Sequence, residues 1–570
     1  MKTKFLFLYL FGTLLFGQQW QWVKRGGSTT EITDRENVYR LTADSQRNIY
    51  GLSTIGMFSG DIDGVDVGYY GGNGYDIALF GFSCEGNYRW SKVIGGGGIE
   101  KVNSVETDSQ GNVYIAGHFG SCQSVVHGGY PPRIDDDIIL PQTNEECSLL
   151  FIAKYSSEGE LLWFRQPAPY GASNQIGSSQ GFTSDGDGNL YWLVSLYPGI
   201  YADGAFENTM EGVNHFVLRY DSDGNFQEAI YLNFELINTA ASNLKFYRNP
   251  YNGHYYFSTV KGLINDQVEV NGENIEQAFS IFSFDEHGNH LWTRTGDSTT
   301  SPSSIISYGM DFDPQGNIYI SGRIVGLSYE TFFGLTIEGG YSPAFVMKLD
   351  PTAENAIWES HSNRDTQGFG QLIRNGDELV LAIQGGGPDY AWGDQVFYIN
   401  ENYHSYEVLM VRLDTETGEC EAFSHLNGYD YSPESANTVV VDANGDYIIG
   451  GWFEMMLKDD YGNEVLVEGA QSDFFIAKFA SEACPSMSTL DTEEDHIVVY
   501  PNPVSGLATV TVSSKMKYYL YNPAGTEIDK GELDSHNNKL DFSLYAPGVY
   551  LLRLTGTEKN EKKTVRIIKK

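Results

Sequence analysis

Short runs in which apolar and polar residues alternate cover most of the chain, and they return in the same order. One unit shows the pattern. Val113 and Ile115 alternate with Tyr114 and Ala116, a period of two that predicts a half-buried strand. Asp108-Ser-Gln-Gly-Asn112 just ahead of it predicts a tight turn, in which the Asp carboxylate bonds the backbone two residues on and Gly takes the positive φ. Phe151-Ile-Ala-Lys-Tyr155 predicts a further strand, Glu158-Gly159 a turn, and the segment from Leu161 to Arg165 a strand carrying Trp163. With the residues from Lys101 that lead into the Asp turn, the unit is four short antiparallel strands.

The turn Asp recurs at Asp44, Asp108, Asp185, Asp313 and Asp442, in steps of 64, 77, 128 and 129 residues. The last two steps are about twice 64, and degenerate copies stand where they should, at Asn249-Pro-Tyr-Asn-Gly253 and Asn375-Gly-Asp377. An aromatic residue, Gly four later and Trp four after that occur as Phe82/Gly86/Trp90, Tyr155/Gly159/Trp163 and Phe284/Gly288/Trp292. Seven copies of a four-stranded unit predict an all-β, seven-bladed β-propeller, because one such sheet cannot bury both faces alone. The period is long against the roughly 40–50 residues of common blades. The excess is expected in loops such as residues 118–147 and 197–214. The last copy ends at Phe479-Ala-Ser481 without its Trp strand, and Trp20-Gln-Trp22-Val-Lys-Arg-Gly26-Gly27 matches the Trp90 strand and its Gly95-Gly96 end. The start of the chain is therefore expected to complete the last blade and leave no open sheet edge.

Before that strand, residues 1–17 carry Lys2 and Lys4 followed by a mainly apolar run over residues 5–16, too short to span a bilayer. The order matches a secretory signal cleaved near Gly17 or Gln18. No later stretch approaches 18 consecutive apolar residues, so no transmembrane segment is expected once the signal is removed. The propeller is assigned to residues 18–483 and a polar linker to residues 484–496. Residues 497–570 change character, with short strands and turns at Asn522-Pro-Ala-Gly525 and Pro547-Gly548, and predict a small immunoglobulin-like β-sandwich.

Charge sharpens the division. The formal net charge is −39, yet from Asp491 onward eleven acidic side chains balance eleven basic ones, so the excess lies in the propeller. A surface this acidic repels phosphate backbones and anionic lipid, which argues against nucleic-acid or direct membrane binding. The five cysteines include Cys122 and Cys147, which bracket one long loop and are the candidate disulfide. No Cys-x-x-Cys occurs, so no zinc site is indicated.

The tail carries ordered motifs: Val499-Tyr500-Pro501-Asn502-Pro503, Tyr521-Asn-Pro-Ala-Gly525, Leu544-Tyr-Ala-Pro547-Gly548-Val-Tyr550, and a basic end finishing in Lys569-Lys570. Together they resemble the C-terminal sorting domain of the type IX secretion system, type A. The resemblance implies a Bacteroidetes-type bacterium, Sec export, and passage through the outer membrane directed by this tail. The secretion machinery would be its partner, and the passenger would be released or held at the cell surface. Physically, Pro501 and Pro503 would fix the entry strand, and Pro547-Gly548 the turn into the penultimate one. The lysines would offer positive charge to an acidic receptor. The repeats resemble the bacterial seven-bladed (SBBP-type) propeller family through their Asp-x-x-Gly-Asn-x-Tyr turn and strand. That family carries no single chemistry, and the fold alone implies none.

Patterns that could carry chemistry have plainer readings. Gly177-Ser-Ser179-Gln-Gly181 fits Gly-x-Ser-x-Gly, but it lies on a β segment with no following helix, so it is read as coincidence. Asp185-Gly-Asp187-Gly-Asn189 and Asp221-Ser-Asp223-Gly-Asn225 are read as hairpin turns, with weak calcium binding as the other reading. The eleven His residues show no metal-ligand spacing, and no catalytic residue or cofactor is assigned. The expectation is an exported, non-catalytic propeller that binds an extracellular glycan or protein through loops such as residues 118–147 and 326–342. The alternative is a secreted polysaccharide hydrolase or lyase with paired carboxylates at the channel mouth.

Overall fold

A computed structural model describes residues 18–570 except 29–35, 57–59, 71–74, 97–99, 120–129, 141–148, 168–176, 238–243, 262–265, 297–304, 325–329, 333–334, 338–341, 367–369, 387–388, 399–405, 430–431, 469–471, 485–497, 501–503, 505, 513–514, 523–525, 535–536 and 557–561. The expected signal peptide, and both Cys122 and Cys147, lie outside the described residues. The chain divides into two compact units, residues 1–484 and 485–570. Cys484, expected to open the linker, belongs to the first.

The first unit is a seven-bladed β-propeller. Blade two shows the plan, its strands running Glu100–Thr107, Val113–Phe119, Leu149–Tyr155 and Leu161–Arg165 from the inside outwards. The ring closes as the sequence predicts. Gln19–Ser28 pairs with Asp473–Ala480 and becomes the outer strand of blade seven, with Trp22 opposite Lys478 and Gly26 opposite Phe474.

The repeated residues have repeated jobs. Asp108 Oδ1 accepts hydrogen bonds from the backbone N–H of Gln110 (3.0 Å) and Asn112 (2.9 Å), and Oδ2 accepts from Asn112 Nδ2 (2.8 Å) and the Tyr114 hydroxyl (2.7 Å). Asp44 and Asp313 bind their turns and Tyr50 and Tyr319 in the same way. All seven outer strands carry an extra residue against the third strand. Such a bulge twists the strand and re-aims the next side chain. In four blades that side chain is a Trp whose Nε1 reaches the next blade: Trp90 to Ser157 O (2.9 Å), Trp163 to Ser222 O (3.1 Å), Trp358 to Thr415 O (3.2 Å) and Trp22 to Cys84 O (3.1 Å). An indole that is buried, as in Trp22 and Trp90, or half-buried, as in Trp163 and Trp358, and that also satisfies a turn carbonyl joins blade to blade without leaving its N–H unpaired.

Part of each long connection is strand, where the sequence predicts only loop. The hairpin Gly60–Ile62/Val65–Val67 of blade one pairs with the outer strand of blade seven, and Arg133–Ile134/Ile138–Ile139 of blade two pairs with the outer strand of blade one. Gln267–Val270 of blade four pairs with Phe234–Ile237, the continuation of blade three. Met456–Lys458 of blade seven pairs with Asn427–Gly428, the continuation of blade six. In these blades the long repeat holds a four-stranded sheet and a clasp on its predecessor.

Where blade seven meets blade one, Cys84 and Cys484 form a disulfide, 400 residues apart in sequence with Cα atoms 5.8 Å apart. Lys478, fully buried, lies between Asp442 Oδ2 (2.7 Å) and the two sulfurs. Closing so long a loop in the unfolded chain is the case in which a crosslink restricts it most, and losing one typically costs about 2–5 kcal/mol. Cys484→Ser should therefore lower the melting temperature by several degrees, with no change in the fold by circular dichroism. Non-reducing peptide mapping should return Cys84 joined to Cys484, and the same map reads the pairing of Cys122 and Cys147.

The second unit packs a three-stranded sheet, Val498–Tyr500, Leu507–Thr511 and Asn537–Asp541, and a four-stranded sheet ordered Glu527–Leu533, Met516–Tyr521, Gly548–Gly556 and Lys562–Lys569. Val510, Leu520, Phe542, Tyr550, Leu552 and Ile567 fill the core. Alternation puts one face of each strand inside, and a domain this small depends on that single core.

Candidate functional site

The sorting motif is built into the second unit as structure. Tyr550 is buried, donates its hydroxyl proton to Ala546 O (2.7 Å) and packs with Phe542 and Tyr545. Pro547 is exposed just ahead of the strand that Gly548 opens. Lys569 pairs with Gly548 on one side and Val504 on the other, and the Lys570 N–H bonds Val504 O (3.0 Å). The basic end is thus the edge strand of its sheet, with its last residues pinned by a single bridge to Val504. Tyr500 pairs with Thr509, and Pro501, Asn502 and Pro503 lie outside the described residues.

In the propeller the patterns that resembled chemistry serve the fold. Ser179 is buried in the inner strand Gly177–Ser184, where its hydroxyl bonds Asn103 Oδ1 and accepts from Trp192 Nε1 (2.7 Å). Asp185 and Asp221 each use both carboxylate oxygens on their own turns, bonding Asp187, Asn189, Asp223 and Asn225. Among the described residues no three His, Cys, Asp or Glu side chains gather as a metal site would require, and no helix is long and apolar enough to cross a membrane.

The central channel gathers the polar side chains that have no such duty. Inner strands lie beside one another around the ring. Five of them, in blades one, two, three, five and seven, carry a bulge at a matching place, at Tyr39, Asn103, Gln180, Tyr308 and Asn437. On either side of the bulge the apolar residues turn into the blade, as Val102 and Val105 do, while Lys101, Asn103, Ser104 and Glu106 stay half-exposed. The half-exposed set forms the wall. Hydrogen bonds cross it from blade to blade: Arg40 Nε to Asn103 O (3.1 Å), Arg374 N to Asp311 Oδ2 (2.7 Å), Thr438 Oγ1 to Gln371 Oε1 (2.7 Å). Its charged members include Arg40, Lys101, Glu106, Lys245, Asp311 and Arg374.

Confinement moves the proton affinities of these groups. Burial pushes the Glu106 carboxyl up to about 7 and that of Asp311 up to about 6. Burial and the neighbouring Arg40 hold Lys101 low, and burial with Arg40 and Lys101 brings Lys245 down to about 8. Glu36, buried at the seam of blades seven and one, also rises to about 7 through burial. The turn carboxylates go the other way. Burial opposes it, but hydrogen bonds from Asn112 and Tyr114 hold Asp108 below its usual range, and Lys478 and Arg47 do so for Asp442. The two sets give opposite slopes. A raised carboxyl gains a proton on folding, so stability falls as pH climbs from about 4 to 7; a depressed one loses a proton, so stability falls as pH drops below about 4. Burial also lowers His118 and His215 to about 4, so their share of stability rises as pH climbs from about 4 to about 6.5 and offsets the first slope. The melting temperature should therefore peak between about pH 4 and 6, and a curve still rising at pH 8 would contradict this assignment.

A second concavity marks a weak seam. Blade three has Glu228 opposite Arg219 where blade two has Trp163 opposite Lys154. Without the indole, a cleft of about 380 Å³ opens towards blade four, lined by Tyr191, Arg219, Arg248, Tyr251, Tyr255 and Glu286 among others. Arg248 stands over Tyr191, 4.0 Å from its ring centre, and partly fills the place of the indole.

Comparison with known proteins separates the two units. Residues 498–570 match the secretion system C-terminal sorting domain. No protein of curated function matches the chain. Among solved structures, the quinohemoprotein alcohol dehydrogenase ADHIIG of Pseudomonas putida HK5 is similar at 10% identity, over 85% of this chain and 79% of that one, with a TM-score of 0.33. PorZ, a surface component of the type IX secretion system of Porphyromonas gingivalis, is similar at 12% identity over 93% and 75%, with a TM-score of 0.20. BamB of Moraxella catarrhalis is similar at 11% over 67% and 92%, with a TM-score of 0.23. These likenesses are too distant to carry an activity across. The sorting tail needs no such distance bridged: the protein is a seven-bladed β-propeller bearing a type IX C-terminal sorting domain, which directs it to the cell surface or the medium.

Proposed function

We propose that the propeller is a non-catalytic binding module, exported as the passenger of its sorting domain, and that its ligand is an extracellular glycan or protein. One observation carries the reading. The long connections between second and third strands all leave the propeller at the end opposite the Asp turns, and four of their hairpins clasp the preceding blade, so a rigid ring presents one loop-rich face. Rigid scaffolds with variable loops on one face suit recognition. The residues that resembled a nucleophile or a cation site are already engaged in the fold. A glycan and protein array probed with the secreted protein tests the proposal, and binding to a defined ligand with no turnover is the expected result. A second reading, hydrolysis or lysis of a polysaccharide, draws on Glu106 and Asp311, two channel carboxyls with raised proton affinity. Release of sugars from a polysaccharide panel that is lost in Glu106→Gln would replace the first reading with the second.

A further inference from the structure

In a chain of net charge −39, the channel gathers positive charge. Arg40 stands on the inner strand of blade one, Lys101 on that of blade two and Lys245 on that of blade four, Lys245–Arg248. All three are half-buried on the channel wall. None of them makes an ion pair among the described residues, although carboxylates outnumber cations two to one in the whole chain. Arg40 spends its donors on two backbone carbonyls, Asn103 O at 3.1 Å and Tyr39 O at 2.8 Å, which hold the guanidinium in place without neutralising it. Beside it the Tyr39 hydroxyl is buried with no hydrogen-bond partner. Blades one and four are not neighbours in the ring, and Arg40 and Lys245 stand at the same level of their inner strands, opposite Leu52 and Ser258, so they meet only across the channel. Glu106, a carboxyl on the same wall, lies in the field of Arg40, but it accepts from Ser104 Oγ (2.9 Å) and burial raises its proton affinity, so it offsets little of the cations' charge.

Holding like charges together in a confined space is unfavourable unless something of opposite charge joins them. We propose that Arg40, Lys101 and Lys245 form an oxyanion site in the channel, and that the group they bind is a phosphate, sulfate or carboxylate, either free or carried by a sugar. The proposal deepens the binding reading by naming the ligand's chemistry. It does not depend on which surface the loops recognise. A planar guanidinium with two flexible ammonium groups suits such a group, with Arg fixing its orientation and the lysines supplying point charge. The acidic exterior excludes polyanions such as nucleic acid, so the anion admitted is small or stands on an otherwise neutral molecule.

The test uses the secreted full chain and follows the melting temperature and titration heat with inorganic phosphate, sulfate and glucuronate. Sodium chloride at matched ionic strength and neutral glucose are the controls. The wild type should be stabilised by the oxyanions beyond the chloride response. Lys101→Gln/Lys245→Gln should weaken that binding roughly 10- to 100-fold, as expected for losing two charge-assisted contacts. In chloride alone the same variant should melt no lower than the wild type, because the substitution relieves repulsion; a merely structural role would lower it. Lys458→Gln, on an outer hairpin, should leave binding unchanged. Tighter binding of phosphate or sulfate than of glucuronate identifies a free ion, and the reverse order a sugar-borne carboxylate. An oxyanion response no larger than that of chloride, or one retained in the double variant, overturns the site. A ligand found on the array with no oxyanion response would leave the binding reading standing and remove only this site.

Discussion

Without residues 18–28 the propeller should not hold its ring. That strand supplies the outer edge of blade seven and carries Trp20, Trp22 and Val23 into the core, where each is nearly inaccessible. Trp22→Ala alone should cost about 3–5 kcal/mol, a large share of the roughly 5–15 kcal/mol by which domains are stable. The deletion adds the whole hydrogen-bonded ladder from Gln19–Ala480 to Gly26–Phe474, and it frees the blade-one hairpin that pairs with Gly26 to Ser28. The expected result is an aggregating protein with an exposed sheet edge and no cooperative melting transition. A deletion variant that stays monomeric with the parent's melting temperature would show that the strand is dispensable.

The second large effect concerns delivery. Removing residues 497–570 should leave the propeller folded, because the two units have separate cores and the ring is complete at Cys484. The truncated protein should accumulate in the periplasm, its melting transition intact, while the surface and medium lose it. The same segment placed behind a signal peptide and a fluorescent cargo should carry that cargo out. Tyr550→Ala offers a finer version. It removes a core side chain of the sorting unit together with its bond to Ala546 O, and should cost about 3–5 kcal/mol in a small domain, enough to halt export through misfolding alone. Truncated protein appearing outside a cell with a working type IX system would refute the role given to the tail.

Much of this is legible along the chain, for physical reasons that also explain the gaps. Asp108 and its counterparts announce themselves because one carboxylate holds both its own turn and the Tyr at the start of the next strand, and that double duty fixes the spacing. The closing strand can be found because Trp22 keeps the Trp90 pattern although it starts the chain. Trp358 does not show the same spacing, since the turn from Asp350 to Asn355 is one residue longer. The clasping hairpins are hidden because strands of two to four residues are too short to show alternation, and their partners lie in another blade. Cys84 and Cys484 give no sign of pairing, since nearness in sequence says little in a ring whose ends meet. Arg40 and Lys101 are masked by the bulges, which interrupt period-two alternation on their strands, and Lys245 by the shortness of its strand, Lys245–Arg248.

The disulfide at the meeting point also decides how the protein bears tension. The polar segment leading to the sorting unit leaves the propeller at Cys484, so a pull on the tail during passage through a membrane pore enters the ring there. Without the crosslink, that pull would act on the end of Asp473–Ala480 and peel the strand from its neighbours one hydrogen bond at a time. With it, the load passes through a covalent bond into the Cys84 turn of blade one and spreads across two blades. The ring is fastened at the point where export would draw on it.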